Sequence, residues 1–264
     1  MYAFTQHRPA TVRQAASLLA KQEEAKLLAG GHTLIPTMKL RLAGPKHLID
    51  LSKVEGLTGI EMRGRSLIIG AMTPHVEVET SPVVKENCPA LAVLAGKIGD
   101  PAVRHRGTIG GSIANNDPAA DYPAAIVALN ATVRTTKREI AADDFFTGLF
   151  ETALDTGEII TAVKFPKVAS ANYQKFRNPA SRYAIVGAFV ARTPAGVRVA
   201  VTGAGPCVFR QTEMEQALAR SFTPDAIKDI KQAQDGLNSD IHASAEYRAH
   251  LVNVMARRAV AACA

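Results

Sequence analysis

Apolar and polar positions alternate along the chain with two periods, and the switch between them divides it. Val12, Ala15, Ala16 and Leu19 recur at helical spacing, with Thr11 placed to cap the helix. "AKLLAGG" is a short apolar run ended by glycine and predicts a buried strand, and "HTLIPTMKLRLAGP" predicts a helix. Thr33 is placed to cap that helix, Pro36 falls in its first turn, and Gly44-Pro45 stop it. With "KHLIDL" as the next strand, the segment reads as a compact β-α-β unit.

After Ser52 the texture changes. "SLIIGAMT" predicts a strand, residues 74–99 predict helix broken at Pro82 and Pro89, and strand-like, turn-rich sequence is expected to about residue 140. "EIITAVKFP" predicts a strong strand. "NYQKFRNPASRYAIVGAFVAR" predicts two strands around an Asn-Pro turn, and "GVRVAVTGAG" a third beyond the "ARTPAG" hairpin. From about residue 212 the chain is expected to be helical, ending in a helix on which Leu251, Val254, Met255 and Ala259 share one stripe. The nearest approach to a linker is 167–171.

Two glycine pairs interrupt this pattern. Gly30-Gly31 lies between a predicted strand and a predicted helix. Gly110-Gly111 is flanked by Thr108 and Ser112. A helix start exposes backbone N–H groups and partial positive charge, and glycine lets an anion approach them. His32 and Thr33 add polar side chains to the first turn. A tight β-α turn accounts for the first pair equally well. Neither pair carries the Lys-Ser/Thr of a Walker loop, and the GxGxxG frame is absent; "GAGPCV" (203–208) reads as a strand-end turn. Two amide-rich turns together suit a diphosphate held from both sides. Asp117 and Asp121 follow four residues apart. They suit an acid/base pair or local capping, and Asp121 suits a carboxylate that accepts hydrogen bonds from sugar or ribityl hydroxyls.

Composition narrows the classes. The 264 residues are 47% hydrophobic and 21% charged, an ordinary globular balance with length enough for a sizeable core. Net charge is +7, but no run of basic residues accompanies it, which argues against nucleic acid and suits a polyanionic cofactor or an acidic partner. Three dispersed cysteines (Cys88, Cys207, Cys263) form neither a disulfide framework nor a metal motif, and the seven histidines show no ligand spacing. The polar N-terminus and the absence of a long apolar run predict a cytoplasmic protein with no membrane span.

"AGGHTLIPTMKLRLAGPKHLIDL" and "VRHRGTIGGSIANNDPAADYPAAIVAL", followed by "EIITAVKFP", "YQKFRNPASRYAIVGAFVA" and "NSDIHASAEYRAHLVNVMARRAV", resemble the FAD-binding medium subunit of molybdenum hydroxylases. That family includes the carbon monoxide dehydrogenase medium subunit and the flavin domain of xanthine dehydrogenase. The resemblance covers nearly the whole chain. It implies an α+β fold: a two-subdomain FAD-binding domain of the vanillyl-alcohol-oxidase (PCMH) type over 1–168 (subdomains about 1–52 and 53–168), then a small C-terminal domain, 169–264, of a three-stranded antiparallel sheet plus helices. It implies non-covalent FAD, with the diphosphate between Ala29, Gly30, Gly31, His32, Thr33 and Leu34 on one side and Thr108, Ile109, Gly110, Gly111 and Ser112 on the other. By the same resemblance Asp121 contacts FAD, Ile160 is an apolar neighbour of the flavin, Arg177 stands near the ring system and Tyr183 covers one isoalloxazine face. Molybdopterin and 2Fe–2S clusters are expected only in partners, a large molybdopterin subunit and a small iron–sulfur subunit, in a dimer of heterotrimers. Electrons would arrive through the clusters, reduce FAD and leave to an external acceptor. Apolar stripes on the C-terminal helix are expected to dock partners. A stand-alone FAD oxidase of this fold, or a non-catalytic anion- or nucleic-acid-binding module, is the competing reading.

Overall fold

The computed structural model describes residues 1–263. Three β-sheets carry the architecture. The first is parallel, with β1 (Thr5–His7), β2 (Ala25–Leu28) and β3 (His47–Asp50) in the order β1-β3-β2. Helix α1 (Val12–Lys21) links β1 to β2. Thr11 starts it with a capping box: its hydroxyl accepts from the Gln14 amide while the Gln14 side chain accepts from the Thr11 amide. The short α2 (Leu34–Lys39) links β2 to β3, so the predicted β-α-β unit is present. Thr33 precedes α2 without a side-chain cap, which leaves its hydroxyl free.

The second sheet is antiparallel, in the order β4-β5-β10-β6-β7, with β4 at Ile60–Arg63, β5 at Ser66–Gly70, β6 at Thr132–Thr135, β7 at Glu139–Ala141 and β10 at Ile160–Pro166. Between β5 and β6 run α3 (His75–Thr80), α4 (Pro82–Asn87), α5 (Pro89–Gly96), α6 (Pro101–Arg106), α7 (Ile109–Asn115) and α8 (Tyr122–Ala128). Pro82 and Pro89 each open a helix, where a missing N–H is harmless. Residues 101–128 are mainly helical, against the expectation of strands and turns. The second glycine pair lies inside α7, which Thr108 starts by accepting from the Gly111 amide at 3.1 Å. Packing overrides propensity here: a Cβ on Gly110 would lie 2.6 Å from the Ala71 Cβ and 2.7 Å from its carbonyl oxygen. Beyond β7, α9 (Ala142–Phe145) leads into the small hairpin of β8 (Phe146–Gly148) and β9 (Glu151–Thr152).

The third sheet comprises β11 (Ser170–Arg177), β12 (Ala184–Thr193), β13 (Gly196–Thr202) and a two-residue β14 (Phe209–Arg210), all antiparallel. It therefore has one short strand more than the three expected. The segment 167–171 is hardly a linker, since β11 begins at Ser170. Helices α10 (Thr212–Arg220) and α11 (Ala245–Ala262) complete the chain, and apart from a 3₁₀ turn at Pro224–Ile227 the stretch between them is irregular rather than helical. Strand β12 is covered on both faces. Phe189 and Ala191 join the core beneath the second sheet, whereas Val186, Ala188 and Val190 join Leu251, Met255 and Ala259 of α11. The apolar stripe of α11 thus packs on its own sheet and is not free to dock a partner. Among the described residues no helix is long and apolar enough to cross a membrane.

Candidate functional site

A cleft of about 950 Å³ opens between the first sheet, the α6–α8 region and the β11–β12 turn. Its volume lies at the upper end of the range for small-molecule sites. Of the residues singled out in the sequence, Ala29, Gly30, Gly31, His32, Thr33, Leu34, Thr108, Gly110, Gly111, Ser112, Asp121, Ile160 and Tyr183 line it.

The two glycine loops meet. A Cβ on Gly30 would run into the Arg106 carbonyl and lie 2.9 Å from the Gly107 Cα, and a Cβ on Gly111 would lie 3.3 Å from that of Ala29. Gly31 has φ +76°, the left-handed region that glycine tolerates. These glycines are therefore required first for the loops to touch each other and turn, before any ligand is considered.

The loops differ in what they offer. Five consecutive amides, Gly30 to Leu34, donate to no acceptor among the described residues. The second loop has spent all but the Thr108 amide: Ile109 donates to the Thr73 carbonyl, Gly110 to the Ala71 carbonyl, Gly111 to the Thr108 hydroxyl and Ser112 to the Thr108 carbonyl. The expected symmetric clamp of amide-rich turns is thus one-sided. The first loop presents unpartnered N–H groups, and the second brings its backbone close and adds the Thr108 and Ser112 hydroxyls. Ile109 turns a fully buried side chain into the core and does not line the cleft.

Asp121 is 4% exposed and sits at the cleft wall in a buried network. Lys175 Nζ lies 2.8 Å from its Oδ2 and 3.0 Å from the Lys97 carbonyl, and the Tyr173 hydroxyl donates to its Oδ1. Lys97 reaches back to the Tyr173 carbonyl at 3.0 Å. Burial raises the Asp121 carboxyl above its ordinary value, opposed by Lys175 and the Tyr173 hydrogen bond, and burial likewise pulls Lys97 down. Asp117 instead accepts the Ala119 amide at 2.9 Å in a turn before α8, so the two acids share no helix face.

The β11–β12 turn is built by Asn178. Its side-chain oxygen accepts from the Ala180 and Ser181 amides at 2.9 and 3.1 Å, and its amide donates to the Tyr183 carbonyl. This presents Ser181, Arg182 and Tyr183 to the cleft. Tyr183 is 48% exposed; its partial burial, then the charges of Asp117 and Asp121, lift the phenol above its usual value. Arg177 is exposed at the end of β11 and is not part of the lining; the cation of this turn that lines the cleft is Arg182, held at φ +63°. A register shift between Phe176 and Arg177 carries Arg177 out of step.

Sequence reading missed His75, Lys97, Tyr173, Lys175 and Arg182. The Asn-Pro turn was the available signal for Arg182. The others sit in ordinary helix and strand patterns, and only the fold brings His75 to the cleft and Lys97, Tyr173 and Lys175 to the network behind Asp121. Glu158, also at the lining, is held down to about 2: burial alone would raise it, but hydrogen bonds from Arg138, Thr135 and the Asp155 amide outweigh that. Among the described residues no group of three or more His, Cys, Asp or Glu side chains is placed to hold a metal ion.

This donor set fits FAD. The free amides at the first loop suit a diphosphate, the long cleft suits a dinucleotide, and Ile160 and Tyr183 offer apolar and aromatic surface. Known proteins agree. Residues 2–168 match the family model described as the FAD binding domain in molybdopterin dehydrogenase, and residues 171–263 match the CO dehydrogenase flavoprotein C-terminal domain. The chain is 35% identical to the carbon monoxide dehydrogenase medium chain of Hydrogenophaga pseudoflava, covering 97% of this chain and 96% of that one. It is 36% identical to the nicotine 6-hydroxylase medium subunit of Paenarthrobacter nicotinovorans, covering 96% and 94%. The solved structure of reconstituted CO dehydrogenase from Oligotropha carboxidovorans superposes with a TM-score of 0.92 at 33% identity, over 100% of this chain and 99% of that one. The chain therefore belongs to the family of FAD-binding medium subunits of the molybdopterin dehydrogenases.

Proposed function

We propose that this chain is the electron-transfer flavoprotein of a molybdenum–iron–sulfur–flavin hydroxylase, working with a large molybdopterin subunit and a small iron–sulfur subunit. The observation that carries this reading is the row of five unpartnered amides, Gly30 to Leu34, at one wall of a cleft of about 950 Å³. Bound FAD would supply the redox chemistry, accepting electrons from the partner's clusters and releasing them to an external acceptor. The chain's own residues bind and orient. The first loop holds the diphosphate, and Thr108 and Ser112 add hydroxyl donors from the opposite side. Asp121, fixed by Lys175 and Tyr173, presents a carboxylate for hydroxyl groups. Tyr183 and Ile160 cover the flavin, and Arg182 sets positive charge at the mouth. With the relatives named for carbon monoxide and nicotine, the substrate is decided outside this chain.

The test is co-expression with the two neighbouring subunits, followed by purification. A yellow complex whose flavin is released unmodified on denaturation supports the reading. Gly30→Asp should lose the flavin, because its carboxylate would face the diphosphate and its Cβ would strike the Arg106 carbonyl. A colourless wild-type complex that takes up no FAD would sink the proposal. Oxygen-consuming turnover of a small alcohol by the chain alone would favour a stand-alone oxidase instead.

A further inference from the structure

His75 opens α3 and is 4% exposed, yet it lines the cleft. Its backbone amide donates to the Gly107 carbonyl at 2.9 Å, which ties the ring to the second loop. Its Nδ1 is enclosed and has no hydrogen-bond partner among the described residues. Tyr122 covers the ring from one side, with centroids 5.3 Å apart. Among the described residues no group bonds Nε2 either, and that nitrogen faces Gly107, where a Cβ would lie 2.5 Å from it. A buried N–H with no acceptor is costly, so a proton on Nδ1 is disfavoured, alone or in the imidazolium. What remains is a neutral ring protonated on Nε2, beside the point where the two loops meet.

We infer that His75 is a cofactor-positioning residue that donates its Nε2–H, as a neutral imidazole, to a phosphate oxygen of the bound dinucleotide. This rests on the proposal that the FAD diphosphate lies between the two loops. The charged and titratable groups around the ring agree with its neutrality. His32 on the first loop and Arg104 on α6 both disfavour a further positive charge, and Arg104 is itself held 2.8 Å from Glu79. Burial, reinforced by those two groups, takes His75 down to about 4. Of the second loop's amides, Ile109 to Ser112 are spent and only that of Thr108 is without an acceptor among the described residues, so the imidazole adds a second nitrogen donor on that side.

The experiment uses the full chain stripped of flavin and measures the Kd for FAD and, separately, for ADP and riboflavin. His75→Leu should weaken FAD and ADP by on the order of 10- to 100-fold, the worth of one hydrogen bond to a charged group. Riboflavin binding should be unchanged. His75→Gln, whose Nε2 can take the same place, should restore most of the affinity. Gly107→Ala, which sets a methyl against Nε2, should lose it with His75 intact. Circular dichroism confirms that each variant is folded. Wild-type affinity should involve no proton uptake between pH 6 and 8, read by calorimetry in two buffers of different ionisation heat. Unchanged FAD affinity in folded His75→Leu, equal losses for riboflavin, or uptake of a proton on binding would overturn this inference alone. Wild-type chain that binds neither FAD nor ADP would overturn the functional proposal with it.

Discussion

Replacing Lys175 by Met keeps the length of the side chain and removes the charge that faces Asp121. The wild-type contact is short, 2.8 Å, and both side chains are almost wholly buried, at 3% and 4% exposure. Removing one member of such a pair typically costs about 3–5 kcal/mol, and here leaves the buried carboxylate with only the charge of Lys97 to offset it. Here the loss has a ceiling, because Asp121 can take a proton instead. At pH 7 that means protonating a group a little over three units above its ordinary value of 3.8, at about 1.4 kcal/mol per unit, so at most about 4 kcal/mol. At pH 5 the same ceiling falls to about 1.6 kcal/mol. The sign follows from linkage. Asp121 in the variant has a folded pKa above its unfolded value, so the folded state binds the proton more tightly and the deficit grows as pH rises from 5 to 7. Urea unfolding at both pH values, followed by far-UV circular dichroism since the chain has no tryptophan, reads it directly. The double variant Lys175→Met, Asp121→Asn should lose the pH dependence. A deficit equal at pH 5 and pH 7, or one below about 1 kcal/mol at pH 7, would refute the argument.

Two further outcomes follow from the same geometry. Gly110→Ala forces a methyl against the Ala71 backbone and should cost about 2 kcal/mol in thermal unfolding, whereas Gly111→Ala meets only the Thr108 hydroxyl at 2.9 Å and the Ala29 Cβ at 3.3 Å. Gly111→Ala should therefore spare stability but wedge the loops apart and weaken FAD, and the reverse order would contradict the packing. Glu158, lowered from 4.5 to about 2, contributes up to about 3 kcal/mol that is fully present above pH 4.5 and lost as pH falls through 2. Glu158→Gln should accordingly flatten the acid limb of the stability curve between those values, and an unchanged acid limb would count against the Arg138–Thr135 cradle.

The sequence made much of this fold legible because local signals agreed with it. The cap at Thr11, the prolines at 82 and 89 and the apolar strand β10 each declare themselves within a few residues. The α6–α8 region was misread because two glycines and an Asn-Asn-Asp-Pro run look like turns. Their helical state depends on Ala71 lying against Gly110 and on Asn116 taking a left-handed φ of +43°, while its side chain donates to the Gly148 and Glu151 carbonyls. The first loop was found by its residue types. The spent amides of Ile109 and Gly110 could not be, since their acceptors on residues 73 and 71 are some forty residues upstream. Lys175 and Tyr173 stayed hidden because alternation along β11 marks them only as strand residues, and Asp121 is more than fifty residues away.

The cleft is gathered from a loop near residue 30, a helix start near 110 and a strand turn near 180, and β11–β13 share the core beneath the second sheet through Tyr173, Phe189 and Ala200. A ribosome delivers these pieces in order. The amides of the first loop emerge early, but Lys175, which steadies Asp121, and Tyr183 are made only when about two-thirds of the chain is out. A nascent chain halted at residue 168 would carry both glycine loops and still lack Lys175, Tyr173 and Tyr183. Flavin insertion is on this view a late event in biogenesis, coupled to closure of the third sheet.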